Sequence, residues 1–484
     1  TPPAGGAAYV SASQGTDAPA GGDTLEPYKS ISYALARASV EGYSEIRIAA
    51  GEYYETITVI EGVSLLGGYE AQSWARDIDA YPTVIYSDQS EQYTMRVDGV
   101  TVPTTVEGFI IHGPDSLNGT PATIYVTDCT ESLSIRGNRI HSGDGADGAT
   151  GTAGGHGIDG ADGSPGANSY EATSQAYTNN GGGTGGIRAV AGIHVSGGDG
   201  GNSDNPLYDE PEQNGAPGNG SGAGLGGFGG FSAEWNGSGS VHVPSAGDIA
   251  GCDGEDANAG HHGSSGNGGA AGGQTVGGWW VSESGSNGEN GVPGGGGGGG
   301  GATGGIEDTD PMTAPDVWII GASGGGGGSG AGYGAGGTGG QGGGGCFGGL
   351  VYYSTTPSSL PSITDNAIYR GAAGDGGDGG TGGVGGTGGT GAAGGTVTIF
   401  SSTFAAGAGG DGGNGGHGGG GGGGAGGMSC GILVVRGGYA GDLNDASSNT
   451  VSGGSAGQGG QGGLSLGNSG AAGQPGALLE IEYR

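Results

Sequence analysis

The sequence predicts an all-β protein: a parallel β-helix whose later coils carry glycine-rich excursions packed as a polyglycine-II helix bundle. Three observations lead there. Of 484 residues, 136 are glycine, against a usual share of roughly 7%. Short apolar runs with period-2 alternation recur through the first part of the chain. From residue 143 onward, glycines recur at every third position over long stretches.

Residues 1–142 contain ordinary charge and recurrent strand-like runs, which alternate between apolar and polar residues. Gly or Asn corners separate them, which favours parallel stacking from coil to coil over hairpins. Asn138 stands at one such corner. The runs are residues 44–51, 56–69, 82–88, 93–99, 105–113, 122–129 and 132–141.

One early segment, residues 28–42, has a different period. Ile31, Leu35 and Ala38 stand at i, i+4 and i+7, which predicts a short amphipathic helix.

The phrases AAYVSASQGTD, YKSISYAL, IRIAAGEYYETITV and VSLLGGY carry a family resemblance over about residues 8–140. They resemble the opening of right-handed parallel β-helix proteins of the pectin-lyase-like superfamily, most closely a bacterial extracellular group, the DUF1565-type proteins. The resemblance implies a right-handed coil whose amphipathic helix caps the N-terminal end and blocks edge pairing. For function it implies less, because the superfamily contains lyases, hydrolases, adhesins and inert scaffolds.

The glycine triplets match polyproline-II geometry, with three residues per turn and a rise of roughly 3.1 Å. A bare glycine edge lets neighbouring helices approach and satisfy each other's backbone groups. The alternative is a flexible linker, since ordering glycine costs much backbone entropy. A linker needs no strict period, so we favour the bundle. The triplets run through Gly145–Gly166, Gly285–Gly300, Gly336–Gly348, Gly371–Gly389, Gly407–Gly422 and Gly467–Gly476.

Apolar runs between the tracts predict further β-helix rungs, each coil sending one excursion out and back. Residues 1–142 would then form N-terminal capped coils, and residues 143–484 continuing coils with excursions. The boundary is a change in loop type, not a linker. The runs are residues 186–196, 275–284, 316–323, 348–355, 395–404, 428–438 and 477–484.

Charge excludes several partners. The chain has 11 basic and 47 acidic residues, a net charge of -36, which disfavours nucleic acids and anionic membrane surfaces. No apolar run is long enough to predict a bilayer-spanning helix. We expect a secreted, extracellular or cell-surface protein, and its opening TPPAGG indicates a mature form. The resemblance implies a bacterial source. Cys129, Cys252, Cys346 and Cys430 would be buried or disulfide-paired thiols, with the pairing open.

Acidic and basic residues were the candidates for catalysis, but none matches a catalytic motif, and solvated rim or corner positions are the favoured interpretation. Arg136 and Arg139 should face opposite sides of one strand. The carboxylates are Asp77, Asp79, Asp98, Asp144, Asp147, Asp159 and Asp162. The sequence therefore assigns no catalytic, cofactor-binding or metal-binding residue.

Calcium is a weak alternative, because Asp375 and Asp378 would share one edge of a three-residue helix. A solubilising aspartate row is favoured, since GDGGDGGTGG lacks the large apolar residue of calcium-binding nonapeptides. A metal role is equally disfavoured for the tract histidines, His156, His261, His262 and His417.

Aromatic residues suggest sugar binding. In the pairs Trp279-Trp280 and Tyr352-Tyr353, one ring should point inward and one outward. The outward ring would either stack on a sugar or, as we favour, cover the root of an excursion. A second cluster lies between tracts: Tyr170, Tyr177, Tyr208, Phe228, Phe231 and Trp235.

The favoured function is a structural protein, a self-assembling subunit of an extracellular fibre. Strand 477–484 would accept the next subunit head to tail. The alternatives are a glycan-binding adhesin, a carbohydrate-active β-helix enzyme, and an ice binder using Thr381, Val384, Thr387 and Thr390. An enzyme is left uncertain and disfavoured.

Overall fold

Three parallel sheets of six strands each dominate the structure. The computed structural model describes residues 6–116, 119–172, 178–203, 213–231, 234–235, 241–242, 249–308, 317–399 and 402–484. Sheet A contains β1 (Ala7–Val10), β2 (Glu45–Ala49), β5 (Ser64–Tyr69), β8 (Thr104–Glu107), β11 (Leu133–Arg136) and β23 (Ser362–Thr364). Sheet B contains β3 (Gly51–Tyr54), β6 (Thr83–Tyr86), β9 (Phe109–His112), β12 (Arg139–His141), β24 (Ala367–Ala372) and β28 (Thr450–Ser455). Sheet C contains β4 (Ile57–Val59), β7 (Tyr93–Asp98), β10 (Ala122–Thr127), β22 (Cys346–Tyr352), β27 (Ser429–Val435) and β29 (Leu478–Tyr483).

The chain visits sheets A, B and C in turn, and each strand pairs in parallel with its counterpart in the next coil. This is a parallel β-helix, as predicted. Strand alternation sends one side chain in two inward, so that equivalent residues form buried apolar columns. One column in sheet A consists of Ile46, Leu65, Val106, Ile135 and Ile363.

Helix α1 (Ile31–Glu41) confirms the predicted amphipathic segment. The Ser30 hydroxyl accepts from the backbone N–H of Tyr33 at the N-cap, and Gly42 ends the helix with a φ of 75°. Its buried face, which includes Ile31, Leu35 and Ala38, packs on the first coil.

Asn138 lies at a corner, as expected, and forms a ladder with equivalent asparagines of later coils. Its Oδ1 accepts from the N–H of Phe109 at 3.1 Å, and its own N–H donates to Asn366 Oδ1 at 3.0 Å. Asn366 is bonded in the same way to Asn449 at 3.0 Å. These bonds satisfy buried backbone groups where the chain leaves sheet A for sheet B.

The same corner corrects one prediction: Arg136 and Arg139 do not share a strand. Gly137, with a φ of 63°, breaks the run, so Arg136 ends β11 and Arg139 begins β12. Arg136 pairs with Glu107 at 2.9 Å and Arg139 with Asp79 at 2.8 Å.

The glycine-rich excursions all leave after a strand of sheet B and return before a strand of sheet C. They span residues 142–345, 373–428 and 456–477. The prediction of a single passage out and back is wrong for the first excursion, because several short antiparallel elements turn the chain within it. In earlier coils the same connection is short, at residues 55–56, 87–92 and 113–121.

Four runs predicted as rungs are instead antiparallel elements outside the coils: residues 186–196, 275–284, 316–323 and 395–404. Their strands are β14 (Ala189–Val190), β15 (Ile193–His194), β18 (Gln274–Val276), β19 (Trp279–Val281), β21 (Val317–Ile320), β25 (Thr396–Ile399) and β26 (Ser402–Ala405). Two further strands, β13 (Tyr170–Ala172) and β20 (Ile306–Asp308), pair with β21 in antiparallel fashion. A further antiparallel pair consists of β16 (Glu234–Trp235) and β17 (Val241–His242). The missed signal was the two-residue turn, as at Gly277-Gly278, whose positive φ angles favour hairpins. The other three runs supply β22, β27 and β29, as predicted.

Neighbouring glycine tracts are joined by backbone hydrogen bonds that repeat every third residue. Gly326, Gly327 and Gly328 donate their N–H groups to three different tracts. The acceptors are the carbonyl oxygens of Ser164, Gly198 and Gly410, at 2.9, 2.8 and 3.0 Å. An added Cβ would overlap a neighbouring backbone: at Gly328 it would lie 2.0 Å from the Gly389 oxygen.

The four cysteines are free thiols. Cys129, Cys346 and Cys430 are buried, whereas Cys252 is exposed, so the structure contains no disulfide among them. Within the described part of the chain, no helix has the length and apolar character to cross a membrane.

Candidate functional site

The β18–β19 hairpin lies against the outer face of sheet C. Trp280 is only 2% exposed and packs edge-on against Phe347, with ring centroids 6.0 Å apart. Its indole N–H donates to the Gly272 carbonyl at 3.2 Å. Phe347 and Leu350 of sheet C belong to the same apolar cluster. Trp280 is therefore the inward, covering member of the tryptophan pair.

Trp279 packs against the same cluster on sheet C but is only half-buried. Its ring stacks on Tyr125, with centroids 4.5 Å apart and planes inclined by 16°, and lies nearly parallel to Tyr93 at 6.4 Å. Burial raises the pKa of the Tyr125 hydroxyl. The stack fixes the orientation of the Trp279 ring.

The exposed part of Trp279 lines an open cleft of about 620 Å³. One wall is the hairpin, a second is formed by the tract residues 146–148 and 341–344, and the third by loops of earlier coils between sheets B and C. Four exposed polar side chains line it: Glu91, Gln92, Asp147 and Gln341. The described lining residues include no Lys, Arg or His.

Asp147 is the one carboxylate predicted from sequence that lies in this cleft. Its Oδ1 accepts from the N–H of Asp375 at 2.8 Å, which holds the side chain at the edge of the tract. A smaller cleft of about 380 Å³ adjoins the first, shares Glu91 and Gln92, and adds Asp115.

The other tract carboxylates act as acceptors for backbone N–H groups that face outward from a neighbouring tract. Asp159 Oδ1 accepts the N–H and the hydroxyl of Thr387, and Asp162 does the same for Thr390, at 2.8 to 2.9 Å. These bonds lower the pKa of both carboxyls. Similar bonds are made by Asp144, His156, His262, Asn414 and His417.

Asp375 and Asp378, the calcium alternative, have the same structural role. Each Oδ1 accepts a backbone N–H, from Gln458 and Gln461, at 2.6 Å. No cluster of three metal-ligating side chains occurs in the described ranges. Calcium binding remains untested.

The remaining carboxylate candidates are in local contacts. Asp77 accepts from the N–H groups of Asp79 and Ala80, and Asp98 from the Thr127 hydroxyl at 2.5 Å and from Arg96 at 3.1 Å. Of the second aromatic cluster, Phe228 and Phe231 are exposed, and Tyr170 donates its hydroxyl to the Thr178 carbonyl. Tyr177, Tyr208 and the Trp235 side chain lie outside what the structure describes.

Sequence reasoning missed a ladder of five stacked rings on the outer face of sheet B. Successive centroids lie 5.0, 4.7, 4.6 and 4.6 Å apart. The signal was an aromatic residue at the same position of five rungs. The rings are Tyr54, Tyr86, His112, His141 and Tyr369. Because the ring faces cover each other, the ladder presents mainly edges and is a poor sugar platform.

The ladder predicts a pH-dependent stability. Burial lowers the pKa of His112 and His141, and the charges of His112 and Arg139 lower that of His141 further. The unfolded chain has histidine pKa values of about 6.5 and therefore binds more protons than the folded chain below that pH. The free energy of unfolding should thus decrease as the pH is lowered from about 6.5 through the folded pKa values.

The measurement is the midpoint of guanidinium unfolding at a series of pH values from neutral to mildly acidic. H112F keeps a stacked ring but removes one titrating group, and should flatten the decline. H194Q is the control, because His194 is exposed on a hairpin. This variant should lose stability on acidification as much as wild type does. An unchanged decline in H112F would contradict the assignment.

Comparison with known proteins adds little. No family model and no curated protein matches the chain. Among solved structures, pectin methylesterase from carrot matches 28% of this chain and 43% of its own, with 18% identity and a TM-score of 0.20. Pectin methylesterase PemA from Erwinia chrysanthemi matches 29% and 50%, with 14% identity and a TM-score of 0.16. The chain thus spans half or less of these structures, and the assignment of the fold rests on the sheets themselves.

Proposed function

We propose that the protein is an extracellular glycan-binding protein that holds its ligand in the Trp279 cleft. The observation that carries the proposal is a half-exposed indole, stacked on Tyr125, in the wall of an open cleft lined by carboxylates and amides. A sugar presents an apolar C–H face that packs on such a ring, and hydroxyls that bond to Glu91, Gln92, Asp147 and Gln341.

Preorganisation supports this proposal. Trp279 is held by the stack beneath it, and Asp147 by its bond to the Asp375 N–H. We interpret the tracts forming one wall as a polyglycine-II bundle, because their bonds repeat every third residue and connect each tract to several neighbours. A rigid wall reduces the entropy lost when a flexible oligosaccharide binds.

Binding without catalysis is favoured over a lyase or hydrolase. A lyase needs a base beside the proton that it removes, and the described lining offers only Glu91 and Asp147 as titratable groups. Neither carboxyl is held in the buried setting that tunes an acid catalyst, because both are exposed.

The fibre hypothesis stays a prediction. Helix α1 covers the first coil, whereas the outer edges of β28 and β29 pair with no described strand.

The test is glycan binding by W279A, with W279F as the matched variant that keeps a ring. We expect wild type to bind at least one oligosaccharide on an array, W279A to bind it about tenfold or more weakly, and W279F to retain most of the affinity. Equal affinity of W279A and wild type would refute the cleft as the site.

A further inference from the structure

The charge of the cleft restricts its ligand. Glu91 and Asp147 line it, Asp115 lines the adjoining cleft, and neither lining contains a described Lys, Arg or His. Arg96, whose strand neighbour is Tyr125 beneath Trp279, is paired with Asp98 at 3.1 Å. Nothing basic in these linings offsets the carboxylates, in a chain whose net charge is -36.

We propose that the ligand is a glycan carrying protonated amino groups, an amino-sugar polymer, and not a polyuronate. The inference rests on the proposed function. An ammonium group in the cleft would donate charge-assisted hydrogen bonds to the Glu91 and Asp147 carboxylates. It would also be attracted to the face of Trp279, since indole is the strongest cation–π partner among side chains. A polyuronate would place its carboxylates against Glu91 and Asp147 and be repelled.

The chain offers neutral variants that preserve its structure. D147N keeps an oxygen that can accept the Asp375 N–H, because asparagine has this role elsewhere: Asn168 accepts from Thr396 and Asn414 from Gly388, each at 2.9 Å. E91Q is isosteric at an exposed position. D253N is the control, because it removes the same charge from a residue outside both linings. Asp253 also accepts a backbone N–H, that of Ala408, at 2.7 Å.

The experiment is calorimetric titration with three β-1,4-linked oligomers of equal length, at mildly acidic pH and at low and high ionic strength. They are a glucosamine oligomer, its N-acetylated form, and an oligomannuronate. We expect the order of affinity to be amine, then acetylated, then uronate, with the preference for the amine shrinking as salt rises. E91Q and D147N should each weaken amine binding about two- to fivefold, and D253N should leave it unchanged.

The outcomes separate the two proposals. If the acetylated or uronate oligomer binds as tightly as the amine, or if E91Q and D147N behave like D253N, the amino-sugar inference is wrong. If W279A still weakens that binding about tenfold or more, glycan binding in the cleft stands. If no oligomer binds and W279A makes no difference on the array, the proposed function itself fails.

Discussion

Replacing Gly154 by alanine is expected to destabilise the protein by about 3 kcal/mol or more, whereas the same change at Gly155 should be neutral or stabilising. A Cβ at Gly154 would lie 2.0 Å from the Ala335 oxygen and 2.9 Å from that of Gly336. The obstacle is backbone of the next tract, so it cannot rotate away as a side chain would. Relief requires the two tracts to separate.

Separation breaks hydrogen bonds that join these two tracts on either side of the substitution. The Ala335 N–H donates to the Gly155 oxygen at 2.9 Å, and the Thr338 N–H donates to the Thr152 oxygen at 3.0 Å. Backbone groups left unpaired between tracts cost about 1–3 kcal/mol each. At Gly155, in contrast, a Cβ meets nothing within 4 Å. Alanine there only restricts the unfolded chain, which stabilises by about 0.4–1 kcal/mol.

Guanidinium unfolding of the two variants measures the difference as a shift in midpoint at constant slope. The pair also tests the bundle against the linker interpretation. In a disordered linker, adjacent glycines are equivalent and both variants would unfold like wild type. Equal midpoints for G154A and G155A would therefore overturn the packed arrangement of the tracts.

Local patterns predicted the coils well. The period-2 runs before residue 142, the helix at Ile31, Leu35 and Ala38, and the corner at Asn138 all depend on short-range periodicity, which one sequence displays. The same alternation predicted rungs wrongly after residue 142, because a hairpin strand and a β-helix rung have the same pattern. Only the turn residues, such as Gly277-Gly278, distinguish them.

The cleft could not be predicted, because Glu91, Asp147, Trp279 and Gln341 meet only through the path of the long first excursion. The tract aspartates were interpreted as solvated for a related reason. Whether an outward N–H needs an acceptor depends on which tract lies beside it, and triplet spacing does not specify the neighbour.

Replacing Trp280 by alanine should cost about 3–5 kcal/mol of stability and abolish binding in the Trp279 cleft. Trp280 is nearly fully buried and anchors the β18–β19 hairpin on Phe347 and Leu350. Without it, the hairpin retains the stacking of Trp279 on Tyr125 and two hydrogen bonds near its ends, from Ser282 to the Gly343 oxygen and from Arg484 to the Gly273 oxygen. None of these contacts fills the apolar space left by Trp280, so we expect the cleft wall to shift.

W279A, at the adjacent residue, should separate the effect on glycan binding from the effect on stability. Trp279 is half-buried and contributes a ring to the cleft, so its removal should lower the unfolding midpoint much less than W280A while weakening glycan binding as strongly. W280F, which keeps an apolar ring, should recover part of the stability and with it the binding. If W280A unfolds at the wild-type midpoint, the hairpin is not anchored by this residue. The difference in burial between Trp280 and Trp279 would then fail to predict which of the two stabilises the wall.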